Sequence, residues 1–389
     1  MLITQKVNNI LEDIMKYNSG IYKQQYKYKS FFPALINKPY KWDDPKINVL
    51  LEDARGALGE LNAFSKLIPD IDFFITMHVT KEATDSSKIE GTQTEIDEVM
   101  LPIEDIAPER KDDWQEIQNY ISAMHKAINT LEELPISMRL ICKTHKSLLK
   151  GVRGKNKLPG EVRKTQNWVG GSSIMDAKFI PPHPDDLAEL LSDLEKFINN
   201  PNLEMPELIK IAITHYQFET IHPFCDGNGR MGRLLITLQL IEKGFLDKPT
   251  LYISTFFAKN KELYYSTLSS VRESGDMEHW IKFFLSGVLE TSQSSIDKFK
   301  QIIKIKEETE KKLLNLGARA KLGKELLNLL YSSIIIDTNL VAKKLNLTYP
   351  RANRIINDFL ELGILKELSK KRLRNKKFFF EEYMSLFID

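Results

Sequence analysis

Hydrophobic residues along most of this chain recur every three or four positions, which is the spacing of one face of an α-helix. The clearest stretch spans residues 44–67 and carries one apolar stripe. The stripe consists of Ile47, Leu50, Leu51, Ala54, Leu58 and Leu61. The same pattern predicts further helices at 114–131, 137–149, 187–198, 205–221, 229–242 and 278–291. The sequence therefore predicts a mainly α-helical protein.

Two segments depart from the helical pattern. Residues 31–39 are bracketed by Pro33 and Pro39, which favour an extended or turn conformation. Residues 167–180 have strand-like ends around a glycine–serine turn, and the prolines that follow cannot continue a strand ladder. We therefore predict a short β-hairpin at about 164–180.

The last hundred residues suggest a second kind of unit. Residues 292–315 have sparse apolar positions among many lysines and glutamates, which is typical of a solvated connecting helix. After it come a short helix at 338–345, a turn, and a helix that Thr348 begins and Gly363 ends. Two short extended segments follow. This order of helix, turn, helix and hairpin resembles a winged-helix domain by pattern alone.

Length and composition limit the remaining possibilities. A chain of 389 residues is too long for one small core, and the pattern divides it into 1–103, 104–291, 292–316 and 317–389. A net charge of +2 argues against nucleic-acid binding by the whole surface, so any basic patch must be local. The two cysteines, Cys142 and Cys225, form neither a zinc-binding pattern nor a disulfide framework.

The composition also bears on where the protein acts. The first residues lack the long apolar core of a signal peptide, and no run of about eighteen apolar residues could span a membrane. Few cysteines are typical of a reducing compartment. We therefore expect a cytoplasmic protein without a membrane segment.

The chemistry is concentrated in residues 222–233, His-Pro-Phe-Cys-Asp-Gly-Asn-Gly-Arg-Met-Gly-Arg. Gly227 and Gly229 permit a tight loop, and the apolar periodicity after them indicates that the loop opens a helix. The N-terminus of a helix offers free N–H groups and a positive dipole to an anion. Arg230 and Arg233 lie three residues apart and can grip phosphate oxygens on one side of that helix. The stretch therefore predicts a phosphate site.

Two further groups complete this candidate site. Asp226 precedes the helix, where it could bridge Mg²⁺ to phosphates. His222 titrates near neutral pH and can accept a proton from an attacking hydroxyl. Together these residues are the parts needed for transfer of a phosphorus-centred group.

The stretch resembles the signature of the Fic family, HPFx(D/E)GNGRxxR, at every fixed position. Residues 160–163, 215–221 and 264–265 agree with the family pattern, so the resemblance covers about residues 30–290. It implies a helical Fic-type core that transfers AMP from ATP to a Ser, Thr or Tyr hydroxyl of a protein and releases pyrophosphate.

The resemblance also implies roles for individual residues. His222 would be the general base, Asp226 would hold Mg²⁺, Arg230 would contact the triphosphate, and Arg233 would hold the γ-phosphate. The anion hole would be formed by Gly227, Asn228 and Gly229. Tyr264 and Tyr265 are predicted to line the adenine pocket. The hairpin at 164–180 matches the family's flap, to whose edge an extended target segment could add as a strand.

A second motif suggests regulation. Residues 86–91, Ser-Ser-Lys-Ile-Glu-Gly, resemble the family's inhibitory pattern (S/T)xxxE(G/N), within a helix near 80–91. Ser86 and Glu90 are four residues apart and can share a helical face, and Gly91 fits a helix end. The implied mechanism is that Glu90 pairs with Arg233 and withdraws it from ATP. The resemblance assigns the chain to the class with an N-terminal inhibitory helix and makes a homodimer plausible.

Other functions stay open. The basic segment 366–377, beside a helix with Arg351, Asn353 and Arg354, could read DNA. The protein would then be a transcriptional regulator with a nucleotide-sensing core. A Fic enzyme could also use another donor or remove AMP.

Overall fold

The computed structural model describes residues 17–67, 71–151, 157–368 and 376–388. Most of these residues are helical, as predicted. The helices before the phosphate loop are α1 (Lys46–Leu67), α2 (Ile71–Ile89), α3 (Ile96–Val99), α4 (Lys111–Leu131), α5 (Met138–Leu148), α6 (Leu187–Asn199) and α7 (Glu207–Ile221). Those after it are α8 (Asn228–Glu242), α9 (Ile253–Lys259), α10 (Lys261–Ser274), α11 (Met277–Leu313), α12 (Ala320–Ser332), α13 (Thr338–Lys344), α14 (Tyr349–Glu361) and α15 (Glu381–Met384).

Helix α7 runs through the centre of the core. Its residues are buried almost all round, because α6, α8 and α11 pack against it on different sides. The buried Trp280 of α11 fixes one of these contacts by donating a hydrogen bond from Nε1 to the carbonyl oxygen of Ala212, at 2.8 Å. Since α7 ends at Ile221 and α8 begins at Asn228, this rigid pair holds the phosphate loop between them.

Helix α11 corrects one expectation. The predicted helix at 278–291 and the predicted connecting helix at 292–315 form a single helix, Met277–Leu313. Phe299 and Ile302 are fully buried in its second half. The many charges around them made this half look solvated, whereas one of its faces packs along α1.

Ahead of the C-terminal unit, the described residues contain one pair of strands and one isolated β-bridge. Strands β1 (Gly20–Gln24) and β2 (Lys29–Pro33) pair antiparallel, with Tyr22 opposite Phe31. The expected irregular segment at 31–39 therefore begins inside a strand. The predicted hairpin at 164–180 is reduced to one antiparallel bridge, Val169–Phe179. Its far side is attached to β2, because the N–H of Phe31 donates to the carbonyl oxygen of Ile180 at 3.0 Å.

The C-terminal elements follow the predicted order. Helices α12, α13 and α14 are accompanied by a three-stranded sheet of β3 (Ile335–Asp337), β4 (Lys366–Glu367) and β5 (Lys377–Phe379), in the order β3-β5-β4. Every neighbouring pair in this sheet is antiparallel. The winged-helix assignment stays a prediction. None of the helices in the described ranges combines the length and apolar character that crossing a bilayer demands.

Most of the predicted basic wing, residues 369–375, lies outside the described residues. The lysines that flank it are paired with carboxylates: Lys366 with Glu381, Lys376 with Glu367, and Lys377 with Asp105. The predicted recognition residues Arg351, Asn353 and Arg354 are exposed on α14.

Candidate functional site

His222 is held in an unusual backbone conformation. It caps α7 in the left-handed region, with φ 50° and ψ 59°, where a non-glycine residue is uncommon. Its Nδ1 lies 3.2 Å from the carbonyl oxygen of Glu219, which can only accept, so Nδ1 carries the proton and Nε2 keeps its lone pair. Burial lowers the pKa of His222 to about 4, against the opposing effect of the Glu219 carbonyl. The imidazole is therefore a neutral base at pH 7.

Arg163 fixes the chain around His222. Its buried guanidinium donates from Nε to the carbonyl oxygen of His222 at 2.9 Å and from Nη2 to that of Pro182 at 2.6 Å. Its backbone N–H donates to the carbonyl oxygen of Pro223. Asn167 adds a bond from Nδ2 to the carbonyl oxygen of Phe224, at 3.0 Å. The sequence marked Arg163 only as part of a family pattern, and the structure gives it a positioning role.

His145 supports the other side of the loop. Its ring stacks on Phe224, with centroids 3.7 Å apart and planes 6° apart. Its Nδ1 accepts the N–H of Gly160 at 2.9 Å, so Nε2 is the donor to the carbonyl oxygen of Asp226 at 2.8 Å. Burial lowers the pKa of His145 to about 4, which keeps this neutral tautomer. Sequence reasoning missed this residue, since nothing near it marks a site.

Asn228 closes the loop on itself. Its Oδ1 accepts the N–H of Phe224 and its Nδ2 donates to the carbonyl oxygen of Phe224, both at 2.8 Å. The side-chain amide that was predicted to contact phosphate is thus occupied within the loop. Gly227 takes a left-handed φ of 74° beside it. The groups that this loop can offer to an anion are the backbone N–H groups that begin α8.

Glu90 lies directly over this helix N-terminus. A Cβ built on Gly229 would be 2.2 Å from Oε1 of Glu90, so only glycine allows the approach. Arg233 donates from Nη2 to the same Oε1 at 2.6 Å. It also donates from Nε to Oγ of Ser86 and from Nη2 to the carbonyl oxygen of Ser86, each at 2.9 Å. The predicted contact between the two motifs is present in the structure.

The electrostatics of this pair favour charge on both partners. Burial works to raise the pKa of Glu90, but the charge and hydrogen bond of Arg233 outweigh it and lower the pKa. Arg233 is fully buried, whereas 36% of the Glu90 side chain is exposed. Nη1 of Arg233 is buried and has no hydrogen-bond partner among the described residues. A carboxylate thus occupies an anion site that retains an unused donor. Gly91 follows Glu90 with φ 103°.

Arg230 has a different partner from the one predicted. Its Nη1 pairs with Oε2 of Glu116 on α4 at 2.7 Å, and its Nη2 lies 3.6 Å from Oδ1 of Asp226. Arg230 and Glu116 are both buried. The predicted contact between Arg230 and a triphosphate stays a prediction, and it would require the guanidinium to be shared with Glu116.

Asp226 fits a cation only in part. Its carboxylate is 42% exposed and accepts the N–H of Gly227 at 2.6 Å. No cluster of three or more histidine, cysteine or acidic side chains suited to a metal occurs within the described ranges. Mg²⁺ commonly binds through one or two carboxylates together with substrate phosphates. The donor set therefore suits Mg²⁺ delivered with a nucleotide and not a resident ion.

The two tyrosines predicted to line the adenine pocket differ. Tyr264 is 1% exposed, and its hydroxyl donates to Nε2 of His215 at 2.8 Å, whose Nδ1 in turn donates to the carbonyl oxygen of Gly232. It is buried in the core, and its predicted contact with adenine stays a prediction. Tyr265 is 41% exposed, and the charges of Glu90 and Arg233 act on its pKa, which is raised mainly by burial. Tyr265 is therefore the more accessible of the two tyrosines.

Glu219 is a further half-buried group, with a buried Oε1, that sequence reasoning missed. Its Oε1 has no hydrogen-bond partner in the described part of the chain and lies 2.2 Å from where a Cβ of Gly232 would be. Burial raises the pKa of this carboxyl to about 7, against the opposing charge of Arg233. Glu219 therefore lies beside Gly232 and close to the charge of Arg233.

The sequence of this chain is similar to known protein families and to individual curated proteins. The Fic/DOC family N-terminal model matches residues 49–129, and the Fic/DOC family model matches residues 135–240. The "Protein adenylyltransferase Fic" of Drosophila grimshawi is 33% identical over 175 residues, which are 44% of this chain and 33% of the relative. That of Culex quinquefasciatus is 36% identical over 125 residues, 32% of this chain and 22% of the relative. The match thus spans a third or less of these relatives.

Solved structures share the fold. A Fic family protein from Desulfovibrio desulfuricans G20 has a TM-score of 0.57 at 20% identity and covers 88% of this chain and 98% of its own. A Fic domain containing signaling protein from Bacteroides thetaiotaomicron VPI-5482 has a TM-score of 0.52 at 16% identity, with 64% and 97% covered. The predicted mainly helical Fic-type fold is confirmed. Residues 49–129 match the Fic/DOC family N-terminal domain, and residues 135–240 match the Fic/DOC family domain.

Proposed function

We propose that this protein is a protein adenylyltransferase that moves AMP from ATP to a Ser, Thr or Tyr hydroxyl of a protein, and that Glu90 restrains it. The observation that carries the proposal is the position of the Glu90 carboxylate. It lies against Gly229 at the start of α8 and pairs with the buried Arg233, where the phosphates of a nucleotide would otherwise bind. The relatives named as protein adenylyltransferases support the same activity.

The transfer needs a base for the attacking hydroxyl, and His222 suits that role. Its Nε2 is left as an acceptor because Nδ1 donates to Glu219, and its lowered pKa keeps it neutral. The hydroxyl oxygen would bond to the α-phosphorus of ATP as its proton passes to Nε2. The bond from that phosphorus to the oxygen bridging to the β-phosphate would break, and pyrophosphate would leave.

The phosphate chain would lie along the N-terminus of α8. Backbone N–H groups there and the guanidinium of Arg233 would hold it and align the α-phosphorus. Asp226 would bind Mg²⁺ that accompanies the phosphates, and this ion would neutralise part of their charge. Glu90 and a γ-phosphate would compete for Arg233. ATP would therefore bind in an unproductive pose while Glu90 stays in place.

The target would approach beside His222 at the segment 164–180. The carbonyl oxygen of His222 accepts from Nδ2 of Asn167 at 3.3 Å, so this segment borders the base. Trp168, 41% exposed, precedes the single bridge at Val169. Because β2 already bonds to Ile180, an added target strand would have to use the edge on the Trp168 side.

The test is incubation with α-labelled ATP and Mg²⁺, with the label on the α-phosphate, followed by measurement of protein-bound label. Wild type, Glu90→Gly and the double variant Glu90→Gly/His222→Ala are compared. We expect the Glu90→Gly protein to label itself more than wild type. Loss of His222 should then reduce labelling by a factor on the order of 10²–10⁴. Mass spectrometry of the Glu90→Gly protein should find one added AMP on a hydroxyl residue.

Other results would favour other functions. Equal labelling of wild type and Glu90→Gly would contradict the restraint, and undiminished labelling without His222 would contradict the base. DNA affinity that depends on ATP without any labelling would favour the regulator, for which the exposed Arg351 and Arg354 of α14 are the candidate contacts. Release of AMP from a modified protein would favour the reverse reaction.

A further inference from the structure

Residues near position 387 pack against α2, the helix that directly precedes Glu90. His78, in the middle of α2, is 1% exposed and stacks on Phe299 of α11, with centroids 4.6 Å apart and planes 14° apart. Phe387 covers the same ring edge-on, at 5.2 Å and 81°. Phe387 is itself fully buried. The third residue from the C-terminus is therefore part of the packing that positions α2.

A set of contacts fixes this end of the chain. Nζ of Lys298 on α11 donates to the carbonyl oxygen of Leu386 and lies 5.3 Å from the ring centroid of Phe387. Tyr383 packs edge-on against Phe387, with centroids 5.7 Å apart. Residues 381–388, which we call the C-terminal strap, are thus attached to α11 by a polar contact and to α2 by an aromatic one.

The strap also faces the segment that follows Glu90. A cavity of about 280 Å³ is lined by Phe387 and Ile388, by the α2 residues Lys81, Thr84 and Lys88, and by residues 95–97. Nζ of Lys88 pairs with Oε2 of Glu95 at 2.6 Å. Elsewhere in the C-terminal unit, Lys377 on β5 pairs with Asp105. The C-terminal unit therefore contacts the chain on both sides of Glu90 in sequence.

Helix α2 transmits these contacts to the site. His78 and Glu90 are twelve residues apart, which corresponds to about 18 Å along an α-helix. The helix is continuous from Ile71 to Ile89, so a tilt at His78 displaces its far end. Ser86 and Glu90, which hold Arg233, lie at that end.

We propose that the C-terminal strap holds α2 in the position that keeps Glu90 on Arg233, so that release of the strap activates the enzyme. The inference rests on the proposed adenylyltransferase function and adds the place from which its restraint is controlled. The covering ring of Phe387 is the contact that we test, because it packs edge-on against His78 of α2. A partner that lifts residues 381–388 would have the same effect as loss of this ring.

The experiment is a double-mutant comparison in the chain of 389 residues. Phe387→Ala is made in wild type and in Glu90→Gly, and self-labelling with α-labelled ATP is measured for all four proteins. We expect Phe387→Ala to raise the labelling of wild type by about 2- to 30-fold, the usual range for a residue that modulates coupling. In the Glu90→Gly protein, which has no restraint left to release, the same change should alter labelling less than about twofold.

A matched control separates this effect from general loosening. Phe359→Ala removes an equally buried ring from α14, which packs on α12 within the C-terminal unit. It should leave the labelling of wild type within about twofold. An equal rise with Phe359→Ala, or a rise with Phe387→Ala that persists in the Glu90→Gly background, would overturn the proposal.

A second measurement does not depend on catalysis. Hydrogen exchange of the amides of residues 86–90 is compared between wild type, Phe387→Ala and Phe359→Ala without nucleotide. We expect faster exchange in Phe387→Ala alone. Unchanged exchange would overturn the proposal that the C-terminal strap holds α2. If Glu90→Gly itself fails to label, the proposed function fails, while the exchange data still decide whether the strap holds α2.

Discussion

Two arginines of helix α8 each pair with a glutamate, and the two ion pairs differ in how far the glutamate is exposed to solvent. Arg230 pairs with Glu116 of α4 at 2.7 Å, and Arg233 pairs with Glu90 at the end of α2 at 2.6 Å. Glu116 is 8% exposed in its side chain, whereas Glu90 is 36% exposed. The distances are almost equal, but only Glu90 can be exchanged for a ligand from solvent. The accessibility of the carboxylate therefore distinguishes a structural pair from a restraint.

The largest expected effect comes from breaking the buried Arg230–Glu116 pair. Glu116→Gln removes the nearer countercharge of the buried Arg230 guanidinium and leaves it with Asp226, whose Oδ1 is 3.6 Å away. Breaking such a pair typically costs about 3 kcal/mol of unfolding free energy, or over a hundredfold in the unfolding constant. Chemical denaturation monitored by circular dichroism measures this change. Self-labelling per folded molecule should not rise, and a rise would show that Glu116 also restrains the site.

The matched change in the Glu90–Arg233 pair should act mainly on activity, and it should cost less stability than Glu116→Gln because the 36% exposed Glu90 side chain is partly solvated. Glu90→Gln keeps the shape of the side chain but removes the charge that holds Arg233. A restraint of this kind is typically worth 1–3 kcal/mol, so we expect labelling to rise roughly 5- to 150-fold. The rate of label incorporation at saturating ATP is the measurement. If Glu90→Gln lost as much stability as Glu116→Gln without gaining activity, the distinction between the pairs would fail.

Both members of the proposed restraint were visible in the sequence, because each lies in a motif whose spacing has a chemical meaning. Glu116 was not, since a single carboxylate in an amphipathic helix is typical of a solvated face. Arg163 and His145 were missed for a related reason. Their partners are backbone carbonyl oxygens of the phosphate loop, which leave no pattern in the residue types.

Secondary structure was predictable where one face of a helix is buried, and less so elsewhere. The starts of α7 and α8 differ from the predicted ones by two residues and by one residue, and their ends agree with the prediction. The hairpin at 164–180 was overestimated, because glycine and serine mark a turn but do not fix how far strands pair. The strands Gly20–Gln24 and Lys29–Pro33 were missed because their polar residues hide the alternation.

A variant with a smaller expected effect tests whether the Glu90 carboxylate and the phosphates of ATP occupy the same space. In Gly229→Ala, the added methyl would meet Oε1 of Glu90 at 2.2 Å and would displace it. It would also occupy the position of an anion above the helix. We therefore expect the affinity for ATP, measured by calorimetry in the Glu90→Gly background, to fall about tenfold, or 1.4 kcal/mol. An unchanged affinity would place the phosphates elsewhere.

The smallest expected effect concerns pH. The pKa of Glu90 is lowered by Arg233, so the carboxylate stays charged, and its stabilisation persists above its unfolded pKa and is lost only as the pH falls through the lowered value. His222, with a pKa of about 4, stays a neutral base over the same range. The ratio of labelling by Glu90→Gly to that by wild type should therefore change less than about twofold between roughly pH 8 and pH 5.5.

Glu219 is the group that could disturb this result, because burial raises its pKa to about 7 and it faces Arg233. The ratio is therefore measured again with Glu219→Gln in both proteins. If the ratio falls toward one below pH 7 only when Glu219 is present, protonation of Glu219 weakens the hold on Arg233, and the restraint depends on two carboxylates. If it falls in both series, Glu90 itself titrates in this range, and the Glu90–Arg233 pair is weaker than its 2.6 Å contact implies. A constant ratio leaves displacement, by ATP or by movement of α2, as the route by which Glu90 gives way.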